Sequence, residues 1–191
     1  GGQDPLGGVG CTIYRQVCQS CMPKNTFLIR ATVNAGNSGA FAETEIDLGS
    51  YTNLGSSKPE VLRIHRSHVY ITTAAGLFPK MGADSADSAA WQLTTQTQSG
   101  LVLVTDDSFI AGGVGAYRNP DSAEEEPTQT TDQGVQAQDY ENGYVVAVPS
   151  LFLGGLGGAA FTQDVNFSVV LECTTEPMSK ANAVSLAISQ Q

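Results

Sequence analysis

The chain has 191 residues, of which 41% are hydrophobic, and its 9 Lys and Arg against 19 Asp and Glu give it a net charge of −10. The composition excludes a disordered chain, and no uninterrupted apolar run approaches the ~20 residues of a membrane helix, so no membrane span is predicted. The negative charge repels phosphate groups, so direct nucleic-acid binding is disfavoured. One folded domain is expected, because a chain of this length buries roughly 70% of its unfolded surface.

Residues 1–25 are predicted to form an N-terminal arm that holds a cysteine cluster. Glycine is the commonest residue from Gly1 to Gly10, and this stretch offers little to a core. Three cysteines follow: Cys11, Cys18 and Cys21. The spacing of Cys18 and Cys21 occurs in zinc sites, but a structural zinc site needs four ligands and both histidines lie elsewhere. Disulfides among these three cysteines, or free thiols, are therefore favoured over a metal site.

Residues 26–176 are predicted to form a β-sandwich, because their apolar and polar side chains alternate with the period of a strand. The alternation begins at Phe27, and a second strand from Phe41 to Leu48 has one wet, acidic face. The long run from Val61 to Thr73 changes phase in its middle. Its two apolar pairs occupy opposite sides of a regular strand: Leu62 with Ile64, and Val69 with Ile71. A bulge near Arg66 and Ser67, or a change of sheet, is therefore predicted.

The two histidines of the chain lie in this run. His65 and His68 are three positions apart, so on a regular strand they point to opposite faces and cannot chelate one ion. A bulge between them would remove that restriction. Polar histidines on a strand face are the favoured interpretation, since no nucleophile motif such as G-x-S-x-G occurs in the chain.

The middle of the chain is predicted to hold short strands and one long loop. Ala90 to Gln98 is centred on the only tryptophan, Trp91. The apolar run from Leu101 to Val104 is predicted to be a strand that is covered on both faces. Gly112 to Asn142 has no convincing core pattern, which predicts a surface excursion.

Acidic residues in this excursion are candidates for a calcium site. Asp121, Glu124 and Glu125 offer carboxylate oxygens, which Ca²⁺ prefers. They do not have the spacing of a twelve-residue calcium loop. A solvated acidic loop is therefore favoured, calcium at a boundary between subunits is the minority interpretation, and no other cofactor is predicted.

The last part of the chain gives the clearest strand. Pro149 interrupts an apolar stretch from Tyr144 to Leu153, which predicts an edge position or a bend. Val165 to Cys173 alternates without a break, as in a half-buried antiparallel strand, and Cys173 is predicted to be a core residue. Residues 177–191 form a short C-terminal tail that fits two patterns, a helix through Ala181, Val184 and Ile188 or a strand through Val184, Leu186 and Ile188.

These patterns predict an all-β fold: an antiparallel β-sandwich of the jelly-roll type, with about eight strands, an N-terminal arm and a short C-terminal tail. Loops, rather than helices of 10 to 15 residues, separate the strands, which favours antiparallel pairing. The glycine clusters lack the Lys and Ser or Thr of a phosphate-binding loop. No group of residues fits a catalytic cycle, so the protein is not expected to be an enzyme.

The layout resembles that of single jelly-roll capsid proteins of small icosahedral viruses. The shared features are a glycine-rich arm from Gly1, strands from Phe27 to Thr174, a strand pair joined by a glycine loop between Gly143 and Cys173, and a short tail from Ser179. The chain departs from many small capsid proteins because it lacks a basic arm. The resemblance implies a virion protein that self-assembles into a shell, with many copies of itself and, in some shells, other coat proteins as partners.

A second function fits the same sandwich. In a secreted or cell-surface binding module of the lectin or adhesin kind, four aromatic residues are candidates for a ligand platform: Trp91, Tyr117, Tyr140 and Tyr144. Their role in core and loop packing is favoured over this one. Under the capsid hypothesis, neighbouring copies are expected to order the arm and the tail.

Overall fold

The computed structural model describes residues 25–125 and 128–191, which form nine strands, one α-helix and one 3₁₀ turn. In chain order these are β1 Phe27–Gly36, β2 Phe41–Asp47, β3 Glu60–Thr72, β4 Ser85–Thr94, β5 Phe109–Asn119, β6 Thr128–Val135, the 3₁₀ turn Ala137–Asp139, β7 Tyr144–Val146, β8 Ser150–Gly157, β9 Val165–Pro177 and α1 Lys180–Ser189. Cys11, Cys18 and Cys21 lie outside the described residues. Their pairing, and the division of the chain at residues 25 and 176, stay predictions.

The strands form two antiparallel sheets that face each other. The first sheet has the order β1-β9-β3-β7 and the second sheet has the order β2-β8-β4-β5-β6. When β6 is set aside as the second half of a hairpin with β5, the other strands, ranked along the chain, have the orders 1-8-3-6 and 2-7-4-5. This pair of interleaved Greek keys is the jelly roll. The predicted fold class is therefore confirmed.

The core lies between the inner faces of the two sheets. Strand β9 contributes every second side chain to it, and none of these is more than 3% exposed: Val165, Phe167, Val169, Leu171 and Cys173. Burying each large apolar side chain stabilises the fold by about 1.5–3 kcal/mol. Desolvation, followed by the charge of Glu172, raises the pKa of the Cys173 thiol to about 12. Cys173 is therefore a protonated core residue.

The predicted change of phase in β3 is a β-bulge. The register between β3 and β9 shifts between Ile64 and Arg66, so that His65 is an extra residue. Ile64 is buried before the bulge and Ser67 is buried after it, whereas His65 and Arg66 both face outward. The bulge therefore places His65 and His68 on the same face, although no group of three His, Cys, Asp or Glu in the described chain is placed to hold a metal ion.

Two predictions for the middle of the chain are wrong. The run from Leu101 to Val104 lies in the irregular segment between β4 and β5, and Leu103 is 78% exposed. The predicted excursion instead begins with the hairpin of β5 and β6. Glycines hide its strand pattern, because aromatic rings from nearby positions cover them: a Cβ at Gly112 would lie 2.7 Å from the Phe109 ring. A strand of this kind has no apolar alternation to detect.

The bend predicted at Pro149 is the crossing between sheets. Strand β7 ends at Val146 in the first sheet and β8 begins at Ser150 in the second sheet. Residues 147–149 therefore connect the two layers, where a residue without a backbone N–H interrupts no strand pairing.

The tail forms α1, which packs against its own domain. Ser179 caps the helix by accepting a hydrogen bond from the Asn182 N–H, and Ala183 packs against Val61 and Ala147. The side chain of Gln190, 2% exposed, bonds to the backbone of β7 and the residue after it. These contacts hold the tail within one chain, where neighbouring copies were expected to order it. No helix in the described part of the chain is long and apolar enough to span a membrane.

Candidate functional site

Exposed apolar side chains gather around one groove on the outer face of the second sheet. Residues 25–125 and 128–191 expose ten large hydrophobic side chains, and four of them line this groove or lie in the segment beside it: Leu101 at 44%, Leu103 at 78%, Val104 at 59% and Val114 at 39%. Single exposed apolar residues are common, but a contiguous group usually marks an interaction site. The groove and the segment of residues 98–108 are therefore the candidate functional site, called here the apolar groove.

A buried glutamine holds the segment against the sheet. Gln92 faces outward on β4 but is only 1% exposed. Its Nε2 donates to the Gly100 carbonyl at 3.0 Å, and its Oε1 accepts from the Val102 N–H at 2.8 Å. The side chain thus pairs with the main chain of the segment much as a neighbouring strand would. Because the backbone is satisfied from beneath, the apolar side chains of the segment remain at the surface.

Further hydrogen bonds fix both ends of the segment. Glu43 on β2 accepts from the Thr97 hydroxyl at 2.6 Å and from the Gln98 N–H at 2.9 Å. At the other end, Asp106 accepts from the Ser108 hydroxyl at 2.6 Å and from its N–H at 2.9 Å. Both bonds lower the pKa of Asp106, and the bond from the Ser108 hydroxyl has the larger effect. The exposed side chains are therefore displayed by an ordered loop.

Glycines form the floor of the apolar groove. The groove has a volume of about 420 Å³ and lies over β4, β5 and β6. A Cβ at Gly113 would lie 2.9 Å from the Trp91 indole nitrogen, and a Cβ at Gly134 would lie 2.6 Å from the Gly112 carbonyl. The close packing beneath the groove thus requires glycine. Both glycines are in register with the core residue Trp91, so the missing side chains make room on the core side of the sheet, and the glycine backbone lines the groove.

The lining of the apolar groove suits binding and offers nothing for acid–base chemistry. Its side chains are mostly aliphatic or aromatic, and none carries a charge: Ala90, Trp91, Gln92, Leu101, Val102, Val104, Phe109, Val114, Gln133 and Val135. The polar group of Gln92 is already bonded to the loop. A groove of this kind can bind apolar side chains, and each Å² of apolar surface removed from water there contributes about 25 cal/mol to the binding free energy.

The aromatic residues considered for a ligand platform do not form one. Trp91 and Tyr117 are 8% and 6% exposed and belong to the core, where Tyr117 packs edge-on against Phe161. Tyr140 and Tyr144 contact each other with ring centroids 5.7 Å apart, and the Tyr140 hydroxyl donates to the Ile110 carbonyl. These rings pack within the fold, as the favoured interpretation of the sequence had it.

The calcium candidates do not converge on one point. The Asp121 carboxylate accepts from the N–H groups of Ala123 and Glu124, at 2.7 and 3.1 Å, and these bonds lower its pKa. Glu125 accepts from the Thr162 hydroxyl at 3.3 Å. Asp121 therefore closes its own loop. Calcium at a boundary between subunits stays a prediction.

Comparisons with known proteins give weak similarities to virus proteins. No family model matches the sequence, and no curated protein matches it. Among solved structures, the chain is similar to VP1 of Trichodysplasia spinulosa-associated polyomavirus in complex with sialylated glycooligomers, at 8% identity and a TM-score of 0.41, over 81% of this chain and 96% of that one. It is similar to VP1 of Merkel cell polyomavirus in complex with disialyllactose, at 7% identity and a TM-score of 0.36, over the same shares.

A third similar structure is the empty head of turnip yellow mosaic virus, at 11% identity and a TM-score of 0.29, over 92% of each chain. At such values the fold assignment depends on the strand order described above and not on these matches.

Proposed function

We propose that the protein is a capsid subunit of a virus, not an enzyme, and that its copies assemble into a shell through the apolar groove. The jelly roll supports this role because viral capsid domains use it, although lectins use it too. The observation that carries the proposal is the exposure of Leu101, Leu103 and Val104 beside an open apolar depression. Such a surface is expected where another copy covers it.

The contact is physically suited to repeated assembly. The exposed apolar side chains of residues 101–104 lie beside the depression on one face of the sheet. Two copies can therefore bury each other's apolar side chains there. Covering one exposed leucine contributes about 1.5–3 kcal/mol, and part of that gain is offset by the cost of association. Closed symmetry repeats the same modest contact many times, which makes the whole shell stable.

The size of the purified full-length protein tests this function. Light scattering and negative-stain electron microscopy should detect closed megadalton particles at raised protein concentration. A monomer or dimer under all assembly conditions, with affinity for a glycan array, would instead support the secreted binding module.

A charge placed in the apolar groove tests the proposed contact. Leu103→Asp should abolish particles, because it buries an unpaired carboxylate between copies. The matched control is Leu77→Asp, since Leu77 is 68% exposed in the loop between β3 and β4, at the opposite end of the sandwich. Both variants should keep the circular-dichroism spectrum of the parent. Normal particle yield from Leu103→Asp would contradict the contact.

A further inference from the structure

The outer face of the first sheet gathers the positive charge of an otherwise acidic protein. Of the 9 Lys and Arg, Arg15 and Lys24 lie outside the described residues, which leaves seven. Arg30, Arg63 and Arg66 project from this face, together with both histidines. The bulge at His65 causes the gathering on β3, because it turns His65 and Arg66 to the same side.

Two of these arginines make no close side-chain hydrogen bond within the described chain and can reach a partner. Arg63 is already committed, because its guanidinium forms two hydrogen bonds to Glu176, at 2.7 and 2.8 Å, and one to the Asn142 carbonyl. Arg66 is 64% exposed and lies 3.8 Å from Glu172, which is a loose pair. Arg30 is exposed, and no ion pair joins it to a described residue. Arg30 and Arg66 are therefore the cations available on this face.

The outward side chains of β1 and β3 stand on either side of β9, and the surface between them is called here the trough. Strand register places Arg30 on β1 and His68 on β3 on either side of Val170, and Thr32 and Tyr70 on either side of Ser168. Two strand spacings separate the walls by about 10 Å. The floor is formed by the outward side chains of β9, which are the short Ser168 and Val170 and, opposite Arg66, the carboxylate of Glu172. Ser168 is hydrogen-bonded to Thr32 at 2.8 Å. Tyr70, 62% exposed, stands in the wall formed by β3.

The floor continues to a polar group that has no partner. Asn166 is the next outward residue of β9 and is 9% exposed. Its Nδ2 has no hydrogen-bond partner among the described residues. Buried donors almost always have a partner in folded proteins. An acceptor at this end of the trough is therefore expected.

We propose that this trough, between Arg30 on one side and Arg66, His68 and Tyr70 on the other, binds single-stranded nucleic acid. Arg30 and Arg66 neutralise phosphates, and the exposed face of Tyr70 stacks on an unpaired base, which is how sequence-independent binding of single strands works. Duplex bases offer no free face for such stacking. The trough therefore discriminates in favour of single strands.

The net charge of −10 does not prevent this binding. Charges more than a Debye length away, about 8 Å at physiological salt, are largely screened, so the local charges of Arg30, Arg66 and Glu172 decide the interaction. Two phosphate contacts give weak binding for one copy. An array of copies would strengthen it through avidity, and this part of the inference rests on the proposed capsid function.

Fluorescence anisotropy with a labelled 20-nucleotide oligo(dT) tests the trough on the full-length protein at 50 mM salt. Arg30→Glu with Arg66→Glu should weaken binding by about tenfold or more and, at about 0.7 for each phosphate contact with a single strand, reduce the salt slope by about 1.4. The matched control is Lys80→Glu with Arg118→Glu, which makes the same change of net charge at exposed positions elsewhere and should stay within about twofold. Tyr70→Ala should cost about tenfold without altering the salt slope.

Several results would overturn the inference. They are an absence of oligo(dT) binding by the parent protein, an equal loss in the control variant, or heparin binding that matches oligo(dT) binding and ignores Tyr70→Ala. Particle formation is measured on the same samples. Normal particles without oligonucleotide binding would reject the trough and leave the capsid function standing. Oligonucleotide binding through the trough without particle formation would support the trough and reject the capsid function.

Discussion

The outer faces of the two sheets differ far more than their inner faces do. Both inner faces are apolar and pack into one core. Outside, the first sheet carries charged and hydroxyl side chains, among them Arg30, Arg66 and Glu172, whereas the second sheet carries the apolar groove. The fold requires only the inner pattern, so the outer residues are free to serve partners. A partner of different chemistry is therefore expected on each side of the sandwich.

The acidic edge of the second sheet sharpens this contrast. Glu43, Glu45 and Asp47 form the wet face of β2, as the alternation predicts. Glu43 holds the segment beside the groove, Glu45 accepts from the Ser150 hydroxyl at 2.6 Å, and Asp47 accepts from the Gly49 N–H at 2.8 Å. These carboxylates organise neighbouring segments of the chain, which leaves the apolar side chains as the feature of this side that the proposed contact uses.

The largest expected difference in stability is between an inner and an outer leucine. Leu171→Ala removes a fully buried side chain and should lower the free energy of unfolding by about 3 kcal/mol. Leu103→Ala should leave the unfolding of the isolated subunit nearly unchanged and weaken assembly instead. Urea denaturation of the unassembled protein measures the first effect, and particle yield the second. Equal losses of subunit stability would mean that Leu103 belongs to the fold.

A smaller loss is expected from the floor of the apolar groove. Gly134→Ala brings a Cβ within 2.6 Å of the Gly112 carbonyl, so β5 and β6 must separate slightly. We expect a loss of about 2 kcal/mol in the free energy of unfolding, together with reduced assembly. Gly55→Ala is the control, because a Cβ there would meet no atom within 4 Å. Equal thermal midpoints for the two variants would show that the floor does not require glycine.

The tail is expected to contribute about 1–2 kcal/mol through one side chain. Gln190→Ala removes the bonds to the Ala147 N–H at 3.0 Å and the Val145 carbonyl at 2.6 Å, and leaves the buried Ala147 N–H and the partly buried Val145 carbonyl without these partners. Hydrogen exchange at Ala147 should accelerate, whereas Gln191→Ala, at an exposed position, should not change it. Unchanged exchange in Gln190→Ala would mean that other contacts hold α1.

The smallest expected effect is a loss of loop stability at acidic pH. Hydrogen bonds from Ser108 lower the pKa of Asp106 below its ordinary value of about 3.9. A depressed folded pKa means that the carboxylate stabilises the loop at neutral pH, and that this contribution is lost as the pH falls below about 4 through the folded pKa. An NMR titration should give this low value, and Ser108→Ala should raise it. An unshifted pKa in the parent protein would contradict the role of Asp106 in ordering the loop.

The alternation of apolar and polar residues correctly predicted the strands that bury one face in the common core. Val165 to Cys173 and the bulge in β3 are of this kind, because one face of each strand is buried within the same domain. The alternation fails for β5, where rings from other positions cover glycines. It also fails for Leu101 to Val104, because an apolar run indicates that something covers it and does not say which molecule does so.

The candidate sites were harder to predict because they depend on tertiary placement. Gln92 differs from a surface glutamine only through the loop that folds over it. Arg30 and Arg66 lie far apart in the sequence and share one face of the sheet because β1 and β3 both pair with β9. Along the sequence, the Lys and Arg residues show no cluster that would reveal this pair. The paired register of the strands is what brings them to one face.

The bulge at His65, and not only the composition of β3, determines what this strand presents to a partner. If the same residues formed a regular strand without the bulge, Arg66 and His68 would turn toward the interior and Ser67 would emerge. Replacing His65 with another polar residue, or removing this one extra residue, would leave Arg66 and His68 facing outward. Natural variation at position 65 is therefore expected to preserve the outward direction of Arg66 and His68.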